Sequence, residues 1–278
     1  MTISSSSKHH GFRAAAVVLL LAHASLPVNA QSATRPAALQ AIEQHGITVV
    51  GSFPAVGGLQ AWAAYRGQTP IALYATPDGK HVVVGSMVDA KGEDVNRSAL
   101  ELAVAKPMSE GAWARVEGSD WIVDGSAKAP RVVYVVTDPN CPYCNKLWAD
   151  ARPWVDSGKL QLRHIMVGIL TPTSEGKAAA LLADKNPAAA LAAHARANAG
   201  ATAKAMASGR PRPLSEGGLQ PMATIPPEIA ARLKANEALM AALQLQATPA
   251  LIWRDAQGRM QTRTGAPDSA LPAIFGPR

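Results

Sequence analysis

The chain has 278 residues, with 27 Lys and Arg against 20 Asp and Glu, a formal net charge of +7. Its basic residues are scattered, with no run denser than the alternating Arg210-Pro211-Arg212. That distribution lacks the clustered cationic face of a nucleic-acid-binding protein, so no nucleic-acid partner is expected. There are only two cysteines, too few for a disulfide-stapled scaffold.

Lys8 and Arg13 precede an apolar core at 14–24, and Val28-Asn29-Ala30 ends the segment in small residues. This is the layout of a secretory signal peptide, here residues 1–30, cleaved near Ala30. The apolar run falls short of the ~20 residues that a spanning helix needs, and no later segment reaches that length. Losing Lys8 and Arg13 with the signal lowers the charge from +7 to +5. An exported chain enters an oxidising compartment, where a disulfide persists. The single cysteine pair is therefore expected to perform chemistry. About 250 mature residues suffice for one large or two modest domains.

Residues 33–45 are expected as a short helix and 47–53 as a strand. Three further β-like runs follow at 59–65, 70–75 and 81–87, with the hairpin signal Asp78-Gly79 between the last two. Residues 31–90 thus form a small antiparallel α+β domain. A domain of roughly sixty residues buries only ~60% of its unfolded surface, and an open strand edge invites pairing. Homodimerisation through this domain answers both problems. Residues 94–105 carry Val95, Ala99 and Leu102 at helical spacing and end before Pro107, with another short helical piece at 109–116. The segment 91–118 reads as a linker helix region. The competing reading makes it part of the core of a single domain.

Residues 119–278 form the second domain. The pattern from 131 onward is strand (131–137), helix (141–156, kinked near Pro153) and strand (160–167). Helical segments at 174–184, 187–197 and 227–244 follow, with a Gly/Ala/Pro-rich loop at 198–226. Strands return at 250–254 and 259–264 around the turn Ala256-Gln257-Gly258, and a helix at 268–275 closes the chain. A βαβ unit, a helical insertion at about 172–246 and a ββα unit make an α+β, thioredoxin-like fold.

Cys141-Pro142-Tyr143-Cys144 holds both cysteines, directly after the first strand and at the start of the helix. Strand, Cys-x-x-Cys and helix in that order mark a thiol–disulfide redox centre. Pro142 suits the first helical turn, where a missing N–H costs nothing. Cys141 then occupies the N-cap, facing free N–H groups and the positive end of the helix dipole. A thiolate is stabilised there, so Cys141 is expected as the nucleophile, its pKa drawn from ~8.5 into the range ~3.5–7.5. Cys144, one turn on, is the resolving thiol. Thr248-Pro249 precedes the apolar strand at 250–254, a position where proline is tolerated. A cis bond is expected at this proline, beside the cysteine turn.

The run Thr137-Asp138-Pro139-Asn140-Cys141-Pro142-Tyr143-Cys144, the segment Ala151-Arg152-Pro153-Trp154 and the motif Thr248-Pro249-Ala250 resemble the DsbC/DsbG family of periplasmic thiol:disulfide interchange proteins. The likeness is strong over 131–170 and 235–265 and weaker elsewhere. It departs at 198–226, which is longer and richer in Gly and Pro than expected, so substrate contacts there are not carried over. The resemblance implies a V-shaped homodimer in the periplasm, kept reduced by an inner-membrane DsbD-type reductase. It also implies disulfide isomerase or reductase activity on exported proteins with cysteines, rescue of sulfenylated cysteines, and chaperone-like activity in the cleft. Pro142, Tyr143, Thr248 and Pro249 are the implied substrate-binding residues, with Cys141 and Cys144 as the redox-active disulfide and no cofactor.

Zinc is the main rival for a Cys-x-x-Cys pair, but a structural site needs four ligands. His45, His81, His164 and His194 lack the spacing to complete one. A purely structural bridge closing so short a loop gains little. His164 reads as a core or surface histidine, and Trp148 and Trp154 as packing residues. Asp138 either disfavours the Cys141 thiolate or caps the turn. Oxidase against reductase is left open, since a few local charges shift the potential by ~1.4 kcal/mol per ~30 mV. A dimeric holdase with secondary thiol activity is the second functional class.

Overall fold

The computed structural model describes residues 1, 2, 35–209, 211–214 and 217–278. The expected signal segment falls, apart from its first two residues, outside them.

Helix α1 (Ala37–Gln44) leads into strands β1 (Thr48–Phe53), β2 (Gln60–Arg66), β3 (Thr69–Ala75) and β4 (Val82–Val84), antiparallel in that order. Side chains alternate across β2 with period two. Trp62 and Ala64 meet Leu39 of α1 on one face, while Ala61 and Ala63 join Phe53 and Tyr74 on the other. The strand expected at 81–87 is shorter, because only three residues pair with β3. The chain leaves the ladder at Gly85, and Val88 bridges Asp94 instead.

One continuous helix, α2 (Arg97–Glu117), replaces the two pieces expected on either side of Pro107. An interior proline costs ~3 kcal/mol. Burying one large apolar side chain returns ~1.5–3 kcal/mol, and α2 buries several on both sides of Pro107. Leu100 and Val104 pack on the first sheet, and Trp113 and Val116 on the second.

The second sheet holds β5 (Trp121–Asp124), β6 (Arg131–Thr137), β7 (Leu160–Met166), β8 (Ala250–Arg254) and β9 (Met260–Thr264) in the order β5-β7-β6-β8-β9. Strands β6 and β7 run parallel, joined through α3 (Pro142–Asp150) and α4 (Arg152–Val155), and the other pairs are antiparallel. The expected kink separates α3 from α4 just before Pro153. Nothing in the sequence pattern marks strand β5. Four residues are too few to display a period, and pairing with β7 is what makes them a strand.

Central β6 is covered on both faces, as its near-continuous Val-rich run requires. Val133 and Val135 pack with Leu147, Trp154 and Phe275 of helix α9 (Leu271–Phe275). Tyr134 and Val136 pack with Trp113 of α2 and Leu239 of α8 (Pro227–Ala242). A third cluster joins α8 to α5 (Ser174–Ala183) and α6 (Pro187–Ala197). Part of the loop expected at 198–226 is helical, as α7 (Ala199–Ala207). Alanine carries the highest helix propensity, and Thr202 of α7 anchors to α3 by donating to Asn145 Oδ1 at 2.7 Å.

Candidate active site

Cys141 stands at the end of β6 and the start of α3, in the extended conformation of an N-cap, with Pro142 in the first turn. Its Sγ accepts from the Cys144 backbone N–H at 3.2 Å. Both cysteines are free thiols, and both are nearly covered, at 2% and 5% exposed. The Thr248–Pro249 bond is cis, and the Cys141 thiol lies 3.4 Å from the Thr248 carbonyl, to which it donates. Pro249 is buried and Thr248 half-buried. Tyr143 alone of the motif projects outward, 50% exposed. All six site residues expected from sequence therefore meet at one place.

The two thiols differ electrostatically. Cys144 donates to the Cys141 sulfur and lowers that thiol's pKa, against the penalty of burial, and the N–H groups of Cys144 and Tyr143 add to the effect. Burial pushes the Cys144 thiol well up, and the neighbouring Cys141 sulfur pushes it further. One thiol is poised to ionise and the other to stay protonated.

The turn before Cys141 is held from below. Asp138, 1% exposed, accepts from Asn140 N–H at 2.8 Å and Ser174 Oγ at 2.9 Å. Its other oxygen accepts from Ile169 and Leu170 N–H at 2.8 and 3.0 Å. Of the two roles open to Asp138, the geometry carries the cap. Buried Asn140 donates to Thr171 and Thr173 hydroxyls and accepts from Lys177 Nζ at 3.1 Å.

The Gly/Pro-rich segment after α7 closes over the same turn. Leu214 N–H donates to Asn140 O at 2.6 Å. Leu219 N–H donates to His194 Nδ1 at 3.1 Å, so Nε2 carries the proton and donates to Pro139 O at 2.8 Å. Gly218 is required here: at φ +70°, a Cβ would lie 2.2 Å from His194 Nδ1. Sequence reasoning missed His194, Lys177 and Asn140. Each acts through partners tens of residues away, so no local spacing betrays them. Among the described residues, no group of three or more His, Cys, Asp or Glu could hold a metal ion.

A family model described as a thioredoxin-like domain matches residues 122–271. Fold and paired thiols together define a thioredoxin-like thiol:disulfide oxidoreductase. The chain is 45% identical to the thiol:disulfide interchange protein DsbG of Pseudomonas aeruginosa over 244 residues, 87% of this chain and 89% of that protein. It is 38% identical to DsbG of Escherichia coli K12 over 260 residues, 93% of this chain and 98% of that protein. It belongs to the DsbG family of thiol:disulfide interchange proteins. Among solved structures, the catalytic domain of Proteus mirabilis ScsC is similar at TM-score 0.43 and 19% identity, covering 59% of this chain and 95% of that domain.

Proposed function

We propose that this disulfide oxidoreductase reduces or isomerises disulfides of periplasmic proteins through Cys141 as nucleophile and Cys144 as resolving thiol. The carrying observation is the divergence of the two thiols, one drawn down at a helix N-cap and one pushed up by burial. The Cys141 thiolate attacks a substrate sulfur. A mixed disulfide forms, and the substrate's other sulfur leaves as a thiolate. Cys144 then attacks Cys141 Sγ, closing the Cys141–Cys144 disulfide and releasing the second substrate thiolate. On a sulfenylated cysteine the first step expels hydroxide, taken up as water, and the second is the same.

Pro142, Tyr143, Thr248 and Pro249 form the substrate-binding surface, with the Thr248 backbone positioned beside the attacking sulfur. Exposed Ile169 and Leu170, on the loop tied to Asp138, extend it with apolar area. The protein works after export through its signal peptide, cleaved near Ala30, and an inner-membrane DsbD-type reductase returns the pair to dithiol. The region 31–90 dimerises the chain and 91–118 links it to the catalytic domain 119–278. Exposed Tyr143, Ile169 and Leu170 also favour a second reading, a holdase that grips unfolded chains near the thiols.

Thiol trapping of Cys141 and Cys144 in living cells tests the direction of electron flow. A mostly reduced pair fits the reductase or isomerase; a mostly oxidised pair makes the protein an oxidase. Suppression of aggregation retained in Cys141→Ala would assign the holdase activity to the surface rather than the sulfur.

A further inference from the structure

Resolution requires Cys144 to lose its proton, yet Cys144 is the thiol whose ionisation burial opposes most. An acceptor inside the protein would meet that need. A cavity of about 20 Å³ is lined by both cysteines together with Thr137, Trp148 and His164. One water needs about 10–15 Å³ of such volume and two to four polar partners. Two lining side chains offer buried polar atoms with no hydrogen bond inside the protein, the indole Nε1 of Trp148 and Nε2 of His164.

Two other titratable side chains line the cavity, Asp138 and His194. Both are committed. The Asp138 carboxylate already accepts four hydrogen bonds, and His194 uses both ring nitrogens, on Leu219 N–H and Pro139 O. Lys177, behind Asn140, is a donor only. His164 is different. Thr137 Oγ1 donates to Val135 O at 3.2 Å and lies 3.0 Å from His164 Nδ1, so Nδ1 carries the hydrogen and donates to Thr137. Nε2 keeps its lone pair, 3.5 Å from Asp124 Oδ2. A proton arriving there finds its counter-ion in place.

Burial works to raise the Asp124 carboxyl, but the imidazolium form of His164 and the Arg152 guanidinium hold it down to about 2, so it is ionised at neutral pH and ready to receive that imidazolium. Arg152 clasps it through both guanidinium nitrogens. Asp124 and Arg152 are 12% and 22% exposed, which opens the cluster to solvent.

We infer that a water in this cavity passes the Cys144 proton to His164 Nε2, while Asp124 stabilises the imidazolium and Arg152 links the cluster to solvent. The inference rests on Cys144 being the resolving thiol. In the step, the Cys144 S–H bond breaks and the proton reaches Nε2 through the water. The sulfur's electron pair forms the bond to Cys141 Sγ, and the substrate sulfur leaves with the pair of the broken mixed disulfide. The cysteine pair is oxidised and the substrate disulfide reduced. The proton then exchanges with solvent, which protonates the released thiolate.

Reaction of the reduced protein with the aromatic disulfide 5,5′-dithiobis(2-nitrobenzoate) separates the two steps. Attack by Cys141 releases a first coloured thiolate, and resolution by Cys144 a second. His164→Gln is expected to slow the second phase on the order of 10²-fold near neutral pH, the usual scale of a positioned base. With the base gone, the second-phase rate of the variant should climb steadily with hydroxide, the acceptor that remains, unlike that of the unaltered protein. The first phase, which does not draw on His164, reports that the variant is folded. Asp124→Asn should slow the second phase less, and it decides the matter if His164→Gln does not fold. An unchanged second phase and pH profile in whichever folded variant is measured overturns the inference alone. A second phase that persists in Cys144→Ala overturns the assignment of Cys144 as well.

Discussion

Cys141 and Cys144 share one helical turn but not one environment, and their chemistry follows from that difference. An N-cap sulfur collects N–H donors that the helix leaves unsatisfied, while a sulfur one turn inside meets chiefly the cost of desolvation, with the neighbouring Cys141 sulfur adding to it. Alkylation by iodoacetamide tracks the thiolate. Cys141 should reach half its maximal rate below the ~8.5 of a free cysteine, with Cys144 reacting slowly until higher pH. Peptide mapping of the alkylated sites checks this, and equal rates would refute the assignment. The motif, Pro142 and the proline at 249 were legible because their meaning lies in residue type and adjacency. His164 and His194 were not. Each is an ordinary buried histidine until Asp124, Thr137, Leu219 and Pro139 are placed around it, and no spacing in the chain announces those partners.

At the scale of elements, the βαβ unit was readable because β6 is a sustained β-branched run and α3 begins at an N-cap followed by proline. What was misread shares one cause, a local signal overruled by packing. Pro107 reads as a helix terminus, yet burial on both sides carries α2 through it. The segment before α8 reads as loop, yet its alanines form α7 against α3. Strand β5 illustrates a third case, four residues whose pairing supplies what their pattern lacks.

Asp124 at the end of β5 ties that strand to α4 through Arg152. Its pKa is depressed in the fold to about 2, so the stabilisation is present above the unfolded value of ~3.9 and disappears as pH falls through the folded one. The shift corresponds to about 2–3 kcal/mol. Asp124→Asn should therefore unfold earlier in urea at pH 7 by that amount. The gap to the parent protein should close between pH ~4 and ~2. A gap that stays constant down to pH ~2 would show that the carboxylate's charge is not its source.

At the scale of the whole molecule, the first sheet ends in a short strand with little to cover it. Val83 and Val84 of β4 are 62% and 55% exposed, and Leu102 on α2 is 82% exposed. Apolar side chains at an open strand edge are a template for pairing. Light scattering of the mature protein should give twice the chain mass at micromolar concentration. Val84→Lys should shift the distribution toward the single chain, since charge on an edge strand disfavours pairing. A monomer in the unaltered protein would remove the dimer and its cleft from the account.

The division of labour between the two sulfurs is tested most directly by trapping. With Cys144→Ala the first attack proceeds and nothing inside the chain resolves it. Mixed disulfides between Cys141 and exported proteins should then accumulate on a non-reducing gel and vanish with reductant. Cys141→Ala should trap little, because the remaining thiol is buried and protonated. Adducts that accumulate in Cys141→Ala and are absent from Cys144→Ala would contradict the account and reverse the two roles.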